Sequence, residues 1–151
     1  MSSLLTARLE RALLLSEALA AAVDDPALAR DLAGAPSNRM GDQFWCLVGG
    51  RESYARAIAA GAWSGFSCSL AAADARRAAA VRDALARARG AVLDALAGHD
   101  HTPERAALAF DLLEHEAQHH GQLIRYFYAN DVAFPPEFAR RYALSQPGDP
   151  A

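Results

Sequence analysis

An all-α fold, a bundle of four helices in one domain, is what this sequence predicts. Three observations predict it. Apolar residues recur at helical spacing in four long segments, no stretch alternates apolar and polar residues as a half-buried strand does, and Gly, Pro and Asn punctuate the gaps. A length of 151 residues suits a single domain over 1–151, which buries about two thirds of its unfolded surface.

The first segment runs from about Ser3 to Val23, with Leu5, Leu9, Ala12, Leu13, Ser16, Leu19 and Val23 on one stripe. Asp24-Asp25-Pro26 interrupts it, and Gly34-Ala35-Pro36-Ser37 marks a connection. The second segment spans about Asn38 to Ala60, with Met40, Phe44, Leu47, Tyr54 and Ile58 facing the core. A loop over 61–69 carries Trp63 and Phe66, which are expected to tuck against the bundle. The third, alanine-rich helix is expected over Leu70 to Leu96, with Gly98 ending it. Thr102 then offers an N-cap with Pro103 at the first helical position, and the fourth helix extends to about Asn130. A short helix follows over Glu137 to Ala143, and the final residues are expected to fray.

Composition narrows the function classes. A hydrophobic content of 52% with 22% charged residues argues against disorder. The net charge is −3 and all 15 basic residues are arginine, so there is no nucleic-acid footprint. The one basic cluster, Arg76, Arg77, Arg82, Arg87 and Arg89, reads as the solvated face of the third helix. Two cysteines, Cys46 and Cys68, are too few for a disulfide framework, and no window is apolar enough for a membrane span or a leader peptide. A cytoplasmic protein with no membrane partner is expected.

The chemistry concentrates in His115-Glu116-Ala117-Gln118-His119-His120-Gly121-Gln122, which holds three of the five histidines. His115 and His119, at i and i+4, project from one helix face with Cβ atoms roughly 5–6 Å apart and can share one divalent metal. They also lie on an alternating four-three seam of Leu108, Leu112, His115, His119, Gln122 and Tyr126 that turns polar at its middle. Buried imidazoles need partners, and a metal or a wet cavity supplies them. On the second helix a matching stripe of small and polar residues, Gln43, Cys46, Gly50, Ser53 and Ala57, admits a close neighbour. Gly49 and Gly50 within a helix each cost about 1 kcal/mol relative to alanine, so a packing or functional gain should offset them. A buried structural cysteine at a tight helix crossing is the plainer account of Cys46.

His115 to His119 also matches the zinc-protease pattern His-Glu-x-x-His, with Glu116 as general base and Glu137 as a conceivable third ligand. Against it stands the lack of any strand to hold an extended peptide.

The same run, continuing Leu123-Ile124-Arg125-Tyr126, resembles the last core helix of DinB-like proteins, a family that includes YfiT-like members. Trp45-Cys46-Leu47-Val48-Gly49-Gly50-Arg51-Glu52 extends the resemblance to the second helix; only the fourth-helix motif is specific. The resemblance implies a four-helix bundle holding a divalent metal, zinc or nickel, between three histidines. Two are His115 and His119, and the third position falls on Cys46. A thiolate there keeps a three-ligand set; otherwise Gln43 or Asp42 is left one turn away, or no metal binds. The family further implies a thiol-dependent transferase or isomerase that acts on a small molecule with a low-molecular-weight thiol, with Glu116 or His120 assisting proton transfer. The competing expectation is a non-enzymatic bundle that binds a ligand or forms a homodimer in a stress response. Zinc affinity is expected to fall as pH drops through the histidine range near roughly 6.5.

Overall fold

A computed structural model of the chain describes residues 3–149. Every regular element among them is helical. Four long helices, α1 (Ser3–Ala21), α3 (Met40–Ala60), α4 (Ala78–Ala97) and α5 (Pro103–Ala129), are accompanied by two short ones, α2 (Asp25–Leu28) between α1 and α3 and α6 (Pro136–Tyr142) after α5. Helix α1 packs on α4 and α5, and α3 packs on the same two, so the long helices form a ring.

Local chemistry sets the ends. Thr102 accepts a hydrogen bond from the Arg105 amide, with Pro103 at the first position of α5. Asp42 accepts from the Arg39 amide at 3.0 Å at the start of α3, and Gly61 closes that helix at φ +76°, a left-handed conformation suited to glycine. The Asp24-Asp25-Pro26 interruption is itself a turn of helix: Asp24 caps α2 by accepting from the Ala27 amide at 2.9 Å. The third helix starts later than its alanine content suggests, because 72–76 form a 3-10 turn and Arg77 is extended (φ −113°, ψ 107°). Trp63 and Phe66 touch the bundle through Tyr54 and Trp45, at ring separations of 4.9 and 5.4 Å, yet both remain about half exposed. Contacts hold the tail near the body as far as Gln146. Gln146 holds the backbone of Phe134 from both sides, at 2.8 and 3.1 Å, and Leu144 packs on the core. Pro150 and Ala151 lie outside the described residues.

The core is divided in two. One apolar cluster holds Leu19, Phe44, Leu85 and Phe127; the other holds Leu9, Ile58, Val92 and Leu112. Between them lies a buried polar layer of Ser16 on α1, Arg51 on α3, and Glu116, His119 and His120 on α5. The clusters also reveal the helix directions. Helices α3 and α4 enter at the first cluster and leave at the second, whereas α1 and α5 run the other way. The parallel pair α3 and α4 explains the long connection over 61–77, which must return along the bundle.

Candidate metal centre

Helices α3 and α5 meet where the polar layer reaches the edge of the core. One helical turn separates His115 from His119, and their rings lie edge to face at 4.6 Å. Across from them, Cys46 on α3 brings Sγ to 3.7 Å from Nε2 of His115. One donor atom from each of Cys46, His115 and His119 lies within 4.8 Å of the others. In a tetrahedral zinc site a sulfur and a nitrogen ligand stand about 3.5 Å apart, close to the separation found here. Gly50, one turn beyond Cys46, makes the approach feasible, since a Cβ at that position would overlap the His115 imidazole. The neighbouring Gly49 makes room for Phe66 and Cys68 instead. Both glycines therefore have the packing reason their helical position requires.

Gln43 is not a member of the ligand group; it orients one. Its Nε2 donates to Oδ1 of Asn38 at 2.8 Å, which leaves its Oε1 to accept from Nδ1 of His119, also at 2.8 Å. His119 is thereby assigned the tautomer with Nδ1 protonated and the Nε2 lone pair free, the arrangement that prepares a histidine to ligate. Asn38 is fixed in turn by Tyr126, whose hydroxyl lies 2.6 and 2.7 Å from its two oxygens. Asp42, the other alternative, caps the helix and pairs with Arg76 at 3.6 Å.

Burial keeps the donors neutral. It lowers the pKa of His115, and it pushes His119 down to about 4, with the nearby His115 adding to the effect. Both rings are thus available as neutral ligands at pH 7. Their competition with protons moves below the range near 6.5 expected from the sequence. Burial raises the Cys46 thiol, so that group is the one that must lose a proton to ligate. His115 also carries a debt: its Nδ1 is buried without a hydrogen-bond partner among the described residues. Its Nε2 meets only the weak thiol of Cys46, a contact that a cation held by Nε2 and Sγ would replace, while Nδ1 lacks the partner that usually orients a ligating histidine.

The helix turns its next two polar residues elsewhere. Glu116 is fully buried and paired with Arg51, Nε to Oε1 at 2.7 Å and Nη2 to Oε2 at 3.1 Å. Arg51 is equally buried and gives its remaining donors to Leu13 and Leu85 carbonyls and to Glu17, which also accepts from Arg89. All five guanidinium N–H groups are satisfied. Burial alone would raise the Glu116 pKa, but the adjoining Arg51 guanidinium outweighs it and holds the carboxyl below its usual range. Ser16 donates to Glu116 at 2.5 Å and lies 2.8 Å from Nε2 of His120, whose Nδ1 is 2.7 Å from the Tyr142 hydroxyl. With Ser16 donating to the carboxylate, Nε2 of His120 must donate to Ser16 and Nδ1 must accept from Tyr142.

This arrangement corrects the zinc-protease pattern. Glu116 is a sealed structural anion rather than a base at the metal group, and His120 faces Tyr142 rather than that group. Glu137 is exposed on α6 beside Arg140 and Arg141 and does not join the histidines. Gln122, placed on the seam by spacing, is exposed as well; the buried stripe of α5 runs through Glu116 and His120 instead. Sequence reasoning missed the roles of Arg51, Ser16 and Tyr142. The available signal was Ser16, a polar residue on an otherwise apolar α1 stripe.

No family model, curated protein or solved structure matches the chain.

Proposed function

We propose that this chain is a DinB-like four-helix bundle that binds a divalent metal, zinc or nickel, and acts as a cytoplasmic thiol-dependent transferase or isomerase. The observation that carries the proposal is the convergence of Cys46, His115 and His119, with donor atoms within 4.8 Å of one another and His119 oriented by Gln43. Two imidazoles and a thiolate form a soft donor set that favours zinc over magnesium or calcium. Three protein donors are also the composition of catalytic rather than structural zinc centres. A bound metal would supply acidification of a cosubstrate thiol, generating the thiolate nucleophile.

The protein's own contribution is placement. Gln43 fixes the His119 tautomer and also lines a cavity of about 380 Å³ with Asn38, Gln122, Arg125 and Tyr126. A small substrate held there would share that side chain with the metal group, and Arg125 offers a cation for an acidic substituent.

A second reading, a non-enzymatic bundle that binds a ligand or a second copy of itself, draws on the half-exposed Trp63 and Phe66. Trp63 packs at a tilt against Tyr54, whose ring lies 6.4 Å from His115. Cobalt(II) titration separates the two. The enzyme reading predicts a stoichiometric thiolate-to-cobalt absorption band that Cys46→Ser loses and that changes when a low-molecular-weight thiol is added. A protein that takes up no cobalt favours the binding module.

A further inference from the structure

A cavity of about 170 Å³ opens between α1, α5 and α6 and shares no residue with the metal group. Arg8 and Arg11, three residues apart on α1, and Arg141, in the last turn of α6, line it together with His120 and Tyr142. We propose that this cavity binds a phosphate group, free or carried on a small molecule.

Three features support the assignment. The first is uncompensated charge. Arg8, Arg11 and Arg141 form no ion pair among the described residues, as is true of most of the chain's arginines; what distinguishes these three is that they line one cavity. No carboxylate lines the cavity. Glu137 lies in an adjoining cavity that Arg11 and Arg141 also line, together with Arg140, but forms no ion pair with any of them; Glu116 is sealed behind Ser16 and neutralised by Arg51. Three guanidinium forks suit a dianionic phosphate better than a single carboxylate, and their planar donors match its oxygens.

The second feature is a fixed floor. The Tyr142 hydroxyl lies 2.7 Å from His120, His120 lies 2.8 Å from Ser16, and Ser16 is anchored on Glu116. The Arg141 guanidinium sits 5.7 Å from the centre of the Tyr142 ring, a cation–π contact that holds it at the rim. The third is size. The volume falls below the roughly 300–1,000 Å³ of pockets that enclose drug-sized ligands, so it takes a phosphate and leaves any larger remainder outside.

Calorimetric titration of the full chain with inorganic phosphate and with glycerol phosphate, at constant ionic strength in chloride, tests the proposal. One saturable site is expected, weakened about tenfold or more in Arg11→Ala and in Arg141→Ala. Arg140→Ala, on the same short helix but outside this cavity, should bind as the parent does. His119→Ala should also bind normally, which separates this site from phosphate ligating a metal and makes its outcome independent of the metal proposal. Tighter binding of glycerol phosphate assigns the site to a phosphate monoester, and tighter inorganic phosphate assigns it to the free ion. Absence of saturable binding of either, equal loss in Arg140→Ala, or loss in a folded His119→Ala protein would overturn the proposal.

Discussion

His119 and Gln43 are joined across the α3–α5 interface by a 2.8 Å hydrogen bond that commits the Nδ1 proton of the imidazole and frees Nε2. The bond matters because the amide is itself held by Asn38. Replacing Gln43 with Leu removes the acceptor and leaves the ring free to change tautomer. Divalent metal affinity should then fall about 10- to 100-fold, the usual cost of losing such a partner, with the fold retained. Competitive titration with a chelating indicator reads this directly, and unchanged affinity would show that Gln43 does not orient the ligand.

Two helical glycines should respond oppositely to the same change. Gly50→Ala places a methyl group into the His115 ring and should displace it, weakening metal binding at least about tenfold. Gly90→Ala meets nothing within 4 Å and should stabilise the protein by about 0.5–1 kcal/mol through helix propensity. Thermal denaturation of both variants, with metal titration of the first, checks the pair.

Acid should destabilise the metal-free protein before ordinary carboxylates titrate. His119 and His120 are pushed down to about 4 by burial, against about 6.5 in an unfolded chain. The unfolded state therefore binds more protons between these values, and stability falls as pH is lowered through that window. Glu116, held below its usual range by Arg51 despite its burial, adds a contribution present above about pH 4.3 and lost at lower pH. The urea midpoint should drop between pH 7 and pH 5 at constant slope; a midpoint unchanged over that range would contradict the burial of both rings.

Breaking the Arg51–Glu116 pair should be costly, since losing Arg51 strands a fully buried carboxylate and losing Glu116 leaves the buried guanidinium with Glu17 as its one remaining carboxylate partner. Glu116→Ala or Arg51→Ala should each lose about 3–5 kcal/mol. The double variant Arg51→Met with Glu116→Leu should recover a large part of that loss, because apolar groups of similar volume leave no charge behind. Equilibrium urea unfolding of the three variants distinguishes this coupling from simple additivity.

The helices were legible because their stripes repeat. Leu5, Leu9, Leu13 and Leu19 are all buried as the spacing of α1 requires, and Val23, just past the end of that helix, is buried as well. The inward placement of His119 was equally legible, from its position four residues beyond His115. Arg51 was not, because a lone arginine among glycines and a glutamate gives no periodic signal. Its burial depends on acceptors from three other helices, Leu13, Leu85 and Glu116, that no local pattern relates. The face of α5 was misjudged for a related reason. Spacing favoured Gln122 over Glu116, because a carboxylate is assigned to solvent until its cation is known. The late start of α4 escaped notice because alanine propensity cannot register the turn at 72–76, which packs against α3.

The central claim is that Cys46, His115 and His119 form one metal site. Elemental analysis of untagged protein, purified alongside His119→Ala and Cys46→Ser and titrated with zinc, tests it most directly. The account predicts about one zinc per chain in the parent, none retained in His119→Ala, and substantially weaker binding in Cys46→Ser, since a neutral hydroxyl replaces a thiolate. A parent protein that binds neither zinc nor nickel would contradict the site and the thiol chemistry proposed for it.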